Sequence, residues 1–229
     1  MRRSVEPEWL DHLAAQDPRA LRSRRDLRRL NAIMANARLI ARELRRVAPA
    51  GFASIAEIGA GDGTFLAKLA HALHGPTQVE ATLVDCHDLV RAETLADFST
   101  RGWKASAVQA DIFEWLEREP RPAFDVVIAN LFLHHFDSAA LVLLLERLVD
   151  RTAIFIACEP RRSAWARLGA RLVGVVGCSE VTRHDALASV RAGFCHGEIS
   201  ALWPKSGGWT LEEGARGWFS HCFIARRPR

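Results

Sequence analysis

The sequence predicts an α/β protein built on a doubly wound, mostly parallel sheet. Three observations carry that prediction. Strand-like and helix-like patterns alternate from about residue 52 onward, the signature of strands joined by crossover helices. The strand segments are nearly continuous apolar runs, as expected of strands covered on both faces. And a glycine-rich stretch, Glu57-Ile58-Gly59-Ala60-Gly61-Asp62-Gly63-Thr64-Phe65, stands between an apolar run (52–58) and a helical pattern of Phe65, Leu66, Leu69 and Leu73, which reads as strand, tight turn, helix.

The elements follow in order. Residues 1–20 are polar and contain Pro7 and Pro18, with Trp9, Leu10 and Leu13 spaced for a short docked helix. Leu27, Leu30, Met34, Ala37, Ile40, Leu44 and Val47 then recur every three to four residues, predicting one long amphipathic helix that Pro49-Ala50-Gly51 stops. Its arginine-rich outer face reads as a solvated surface, with an anion or membrane contact as the alternative. Further strands are expected at 77–85, 104–110, 124–132 and 152–158. Helices are expected at 88–100 and 112–119, from an N-cap at Ser138 to about Val149, and from Pro160 through Val176. Residues 178–195 read as a helix with a loop. Two closing strands are expected near 197–203 and 217–226, with Gly207-Gly208 between them. The sum is a seven-stranded, Rossmann-like sheet: an N-terminal helical cap at 1–48 and one ligand-binding domain at 49–229.

The 229 residues are half apolar and a quarter charged, an ordinary globular balance with enough chain for a large core. The longest strongly apolar runs, near 141–145 and 172–176, fall well short of the ~18 residues of a spanning helix. Glu6, Glu8 and Asp11 occupy the place where a signal peptide needs an apolar segment, so a cytoplasmic protein is expected. The net charge is +4 and the isoelectric point about 9.1. Only Lys68, Lys104 and Lys205 are lysines, and the arginines are spread along the chain, so a nucleic-acid partner is not expected. Cys86, Cys158, Cys178, Cys195 and Cys222 form no C-x-x-C pair, which leaves buried, reduced thiols and no metal site.

The chemistry of the glycine turn separates two ligand classes. A dinucleotide fingerprint is G-x-G-x-x-G/A; here Gly59 and Gly61 supply the first two positions, but Thr64 stands third and the extra glycine is Gly63. Glu57 and Asp62 would repel a pyrophosphate and suit a ligand that carries positive charge, such as an amino-acid ammonium on a nucleoside. Glu57 to Gly63 closely resembles the first motif, E/D-x-G-x-G-x-G, of the class I S-adenosylmethionine-dependent methyltransferases of small-molecule type. The resemblance covers residues 50–160 well and the final strands loosely. It implies S-adenosyl-L-methionine as cofactor, a last strand inserted antiparallel, and N-terminal helices over the active site, for which Asn31, Met34 and Asn36 are candidates.

Ligands of doubly wound sheets bind outside the carboxyl ends of the strands. Asp85, 26 positions after Gly59, ends the second strand and is placed to accept from both ribose hydroxyls, with Cys86 bordering the adenine. Asp111 ends the third strand. The resemblance gives it the adenine amino group, with Ile112 on the ring, while its position also suits a helix N-cap. Glu57, Gly59, Gly61 and Gly63 would hold the methionine moiety, and Asn130, at the end of the fourth strand, completes the cofactor set. The segment Asn130-Leu131-Phe132-Leu133-His134-His135-Phe136-Asp137 resembles the L-H-H segment of many small-molecule methyltransferases. It departs from the N/D-P-P-F/Y motif of amino-directed enzymes, which argues against base N-methylation.

His134 or His135 is expected as general base toward a phenolic acceptor, with packing beneath the cofactor as the alternative. His184, beside Asp185 or Arg191 in the polar stretch 180–191, is the second candidate. Trp165 and Trp203 would line an apolar acceptor pocket, or else serve the core. The expected reaction is direct in-line methylation of a small molecule, at oxygen on a phenolic or quinol-like metabolite first and at carbon, as in quinone biosynthesis, second. A protein or RNA target, a non-catalytic relative and a nicotinamide oxidoreductase are the rivals. The acidic turn and Thr64 weigh against the last. Oligomeric state is not legible.

Overall fold

The computed structural model describes residues 2–14, 16–73, 75, 78–117 and 124–228. Among them seven strands form one sheet in the order β3-β2-β1-β4-β5-β7-β6: β1 Ser54–Ile58, β2 Glu80–Asp85, β3 Lys104–Gln109, β4 Phe124–Asn130, β5 Thr152–Pro160, β6 Thr210–Arg216 and β7 Ser220–Arg226. The first five are mutually parallel, and β7 lies antiparallel between β5 and β6. The chain reverses direction across the sheet at β1/β4, and the carboxyl ends of these two strands flank a crevice of the kind where such folds hold ligands.

Alternate residues of each central strand face opposite ways, so the sheet builds two cores. Ile55, Val126, Ile128, Ile156 and Ile224 pack against α2 (Asn36–Val47), α3 (Thr64–Leu73) and α4 (Ala92–Ser99). Ala56, Ile58, Val127, Phe155 and Phe223 pack against α5 (Ile112–Glu117), α6 (Ser138–Val149) and α9 (Glu198–Leu202). A fully buried Leu or Ile in either layer contributes about 1.5–3 kcal/mol. Two more helices, α7 (Ala164–Leu172) and α8 (Glu180–Ala192), follow β5 and pack on each other through Ala166, Ala170 and Val190. The doubly wound, mostly parallel sheet is as expected, including its antiparallel strand.

Four local expectations are corrected. The long N-terminal helix is two, α1 (Pro18–Met34) and α2, broken at Ala35 in a left-handed conformation, φ 54°. The break turns Asn36 inward, where its amide donates to Asn130 Oδ1 at 2.9 Å and its carbonyl accepts from Ser220 Oγ at 2.8 Å. Residues 197–203 are not a strand. Glu213, on β6, accepts the backbone N–H groups of Ile199 and Ser200 and so caps α9 as a helix. The sixth strand is instead the polar 210–216, an edge with little apolar pattern. The helix expected from Pro160 through Val176 spans only Ala164–Leu172. And α6 is capped by Asp137, whose carboxylate accepts from Ala140, rather than by Ser138. The starts of the 77–85 strand and the end of the 112–119 helix lie outside the described residues.

Left-handed backbone costs a non-glycine residue about 1–2 kcal/mol. Ala35→Gly should therefore raise the free energy of unfolding in a urea titration by up to about 1 kcal/mol, the full relief being reduced by the extra freedom of glycine in the unfolded chain.

Candidate active site

The glycine turn joins β1 to α3 at the carboxyl end of the sheet. Gly59, Gly61 and Gly63 all have positive φ, but they serve different ends. A Cβ on Gly59 would lie 2.2 Å from the Phe132 ring, and one on Gly63 would lie 2.9 Å from Leu83. At Gly61 a Cβ would meet nothing within 4 Å. Two glycines let the turn pack, and the middle one leaves open space beside the backbone.

Beneath the turn, Glu57 is 1% exposed and its Oε2 has no hydrogen-bond partner. Burial first, then the charges of Asp62 and Asp85, push its carboxyl well above the usual range, against a hydrogen bond from the Leu66 backbone. Asp62 does not share this unpaired state. Its Oδ2 meets Arg28 of α1 at 2.7 Å, and its Oδ1 accepts from Thr64 Oγ1 at 2.6 Å. Arg28 thus leaves the solvated arginine face and ties the N-terminal helix to the turn. Glu57 Oε2 is a buried acceptor without a partner, as is Asn31 Oδ1 on α1; a carboxylate so placed calls for a cation or a strong donor, and an amino-acid ammonium fits it.

Asp85 closes β2, where its Oδ2 accepts the Gly61 N–H at 2.8 Å and its Oδ1 the His87 N–H at 2.9 Å. Each oxygen keeps a second lone pair. Cys86 is exposed, with Sγ 3.1 Å from His87 Nδ1; burial and then Asp85 push its thiol upward. Asp111 caps α5, its Oδ1 accepting from Phe113 and Glu114. Ile112 beside it is buried. Asn130, buried at the end of β4, is held by Asn36. These residues lie on the ends of β1, β2, β3 and β4, four adjacent strands.

The loop after β4 is shaped by a residue that sequence reasoning missed. Glu159, 0% exposed on β5, accepts the backbone N–H groups of Phe132 (3.1 Å) and Leu133 (2.9 Å) and meets His134 Nδ1 at 2.8 Å. His134 Nε2 faces Glu8 Oε1 at 3.4 Å, and Ser189 Oγ also donates to Glu8. Burial disfavours the His134 imidazolium, but the hydrogen bonds and charges of Glu159 and Glu8 outweigh it and raise the group to about 9. Both ring nitrogens of His134 thus face carboxylates, an arrangement that favours its imidazolium form. The only sequence signal for Glu159 is an acidic residue at the carboxyl end of an apolar strand.

The other two histidines differ from it. His135 is partly exposed, with Nδ1 3.6 Å from Asp11 and its ring 4.3 Å from that of His134. His184 Nδ1 meets Asp185 at 3.0 Å and the ring stacks on Trp9 at 4.0 Å, while Asp185 accepts the backbone N–H groups of Trp9 and Leu10. That pair anchors the N-terminal segment. Of the lid candidates, Asn36, the first residue of α2, is buried and paired with Asn130 and Ser220, and Asn31 Oδ1 on α1 is buried without a partner. Trp165 and Trp203 do not share a pocket: Trp203 stacks on Phe155 in the core, and Trp165 faces solvent. A cavity of about 870 Å³, bordered by Ala53 and Asp125, lies at the opposite, amino ends of β1 and β4.

Comparison with known proteins agrees with this geometry. Residues 56–153 match the family model described as a methyltransferase domain. No curated protein matches the chain significantly. The plantazolicin methyltransferase BpumL in complex with SAH has a TM-score of 0.67 at 14% identity, over 93% of this chain and 92% of that one. An O-methyltransferase family protein from Burkholderia thailandensis has 0.62 at 18%, over 93% and 61%. The pyocyanin biosynthetic protein PhzM has 0.61 at 18%, over 97% and 62%. At such identities the structural likeness establishes the fold.

A carboxyl whose folded value lies above its ordinary 4.5 binds protons that the unfolded chain releases. Stability without ligand should therefore fall as pH rises from about 4.5 toward the raised value. Glu57→Gln should remove this part of the slope, as thermal melts of the two proteins across that range would show.

Proposed function

We propose that this protein, an S-adenosyl-L-methionine-dependent methyltransferase by its domain at residues 56–153, methylates an oxygen of a phenolic or quinol-like small molecule. The observation that carries the cofactor half of this reading is the buried, unpartnered Oε2 of Glu57 beside the open backbone at Gly61. Glu57 would receive the ammonium of the cofactor, and Gly59, Gly61 and Gly63 would let the methionine moiety lie against the backbone. The free lone pairs of Asp85 would take the ribose hydroxyls, Cys86 would border the adenine, and Asp111 and Ile112 would hold its amino group and face. Asn130, fixed by Asn36, forms part of the floor.

When bound, the cofactor supplies an electrophilic methyl group on a sulfonium. The chain supplies alignment, which alone accounts for much of such an acceleration, and a proton acceptor. His135 is our assignment for that acceptor. It stands on the loop after β4, and its Nε2 has no partner among the described residues. Protonated His134 holds the loop in place, and His184 serves the N-terminal anchor. We read residues 1–48 as a cap over the carboxyl ends of the strands of the 49–229 domain, tied down by Arg28–Asp62 and Glu8–His134. BpumL is a plantazolicin methyltransferase and PhzM a pyocyanin biosynthetic protein, which supports a place in secondary metabolism. No described helix is long and apolar enough to cross a membrane.

Two measurements test the reading. In calorimetric titration, Glu57→Gln should bind S-adenosylhomocysteine about ten- to a hundredfold more weakly, the loss of one charge-assisted hydrogen bond; tight NAD binding by the wild type in place of S-adenosylhomocysteine would refute the cofactor assignment. Labelled S-adenosylmethionine offered with phenols, quinols, fatty acids and tRNA should label a phenol or quinol. His135→Gln should lower kcat and remove the corresponding pH dependence, and label on tRNA or protein alone would overturn the acceptor class.

A further inference from the structure

The surface formed by α7, the turn after it and the β6–β7 tip has a composition unlike the rest of the molecule. The inner face of α7, Ala166 and Ala170, packs on α8. The outer face presents Trp165, Leu168 and Leu172, and the chain continues into a turn bearing Val175 and Val176, 82% and 63% exposed. The hairpin tip joins it directly. Trp218, 65% exposed, meets Trp165, 61% exposed, edge to face at 5.6 Å. The Phe219 ring covers Gly169, where a Cβ would come within 2.6 Å of it, and Phe219 O accepts the Arg161 N–H at 2.7 Å. Seven of the eleven large apolar side chains exposed among the described residues lie on this one face, so it is a patch rather than the usual scatter.

The charge around the patch is predominantly positive, the exposed Glu180 at the start of α8 being the nearest acidic residue in sequence. Residues 160–179 contain four arginines and no Asp or Glu. Arg162 is buried against Glu198, but Arg167 and Arg171 on α7 have no acidic partner among the described residues. Nor has Arg183, whose side chain lies against Gly174 at the base of the valine turn. A second copy of the chain seated here would set arginine against arginine. An anionic lipid surface meets every feature: Trp at the headgroup level, valines inserted at the tip, and guanidinium groups on the phosphates.

We propose that this face docks the protein on an anionic phospholipid bilayer. Ser220 pairs with Pro160 at the carboxyl end of β5, so the hairpin tip lies at the same end of the sheet as the glycine turn. Approach of a lipid-dissolved acceptor from that side rests on the proposed function; the docking does not.

The test is cosedimentation of the full chain with vesicles of phosphatidylcholine and phosphatidylglycerol in equal parts, against vesicles of phosphatidylcholine alone, with tryptophan emission read in parallel. Binding to the anionic vesicles with a blue shift is expected, weakening as salt is raised. Trp165→Ser with Trp218→Ser should bind at least about tenfold more weakly. Arg167→Gln with Arg171→Gln should lose about fivefold per arginine. Should the tryptophan variant fail to fold, Val175→Asp with Val176→Asp, in an exposed turn, reads the same contact. Titration with S-adenosylhomocysteine reports the fold of each variant and should be unchanged. The proposal is overturned by wild-type protein that ignores both vesicles, by folded variants that bind as well as wild type, by equal binding to neutral vesicles, or by a dimer in solution that the tryptophan variant abolishes.

Discussion

A single buried chain of charges, Glu159–His134–Glu8, holds the functional end of this molecule together. Glu159 lies at the end of β5 with no exposure, and it gathers two backbone N–H groups and an imidazole from the loop after β4. That loop passes through Leu131 at φ 54°, a conformation that a leucine adopts only when its surroundings impose it. The far side of the imidazole meets Glu8, so the N-terminal segment is fastened by the same proton-rich group. Removing one member of such a buried set leaves an uncompensated charge, a loss of about 3–5 kcal/mol.

The glycine turn depends on that loop. Phe132, whose N–H is held by Glu159, places its ring where a side chain on Gly59 would stand. Asp85 holds Gly61 from the next strand, and Arg28 holds Asp62 from the N-terminal helix. Glu57 Oε2, by contrast, is buried without a partner, as is Asn31 Oδ1 on α1. A folded protein rarely leaves such a group alone. The arrangement makes sense as a site whose last hydrogen bond is supplied by its ligand, and this separates a cationic nucleoside from a dinucleotide more firmly than glycine spacing can.

The scaffold was legible in the sequence wherever burial on both faces left long apolar runs, as in 124–130 and 152–158. It was not legible at 210–216, an edge strand whose Glu213 earns its place by capping α9 and meeting His221. The same carboxylate turned the apolar spacing of 199–203 into a helix. The break at Ala35 was hidden because helical periodicity runs through it, and only the partners of Asn36 on two distant strands reveal it. In the site, motif spacing placed Glu57, the glycines, Asp85 and Asp111 on neighbouring strand ends. It could not tell an engaged histidine from a free one. His134 and His135 are adjacent in sequence, yet one is locked between two carboxylates and the other is half open to solvent, a difference created by Glu8 and Glu159, over a hundred and twenty residues and twenty-five residues from His134.

The charge chain gives the two adjacent histidines of the loop after β4 different surroundings. His134 is held between two carboxylates, and in the proposed function the acceptor role falls to its neighbour His135. Nitrogen-15 NMR of the imidazole groups across a pH titration measures this directly. The account predicts that His134 stays doubly protonated through neutrality and titrates at about 9. A neutral His134 ring at pH 7, titrating near its ordinary value of 6.5, would contradict it.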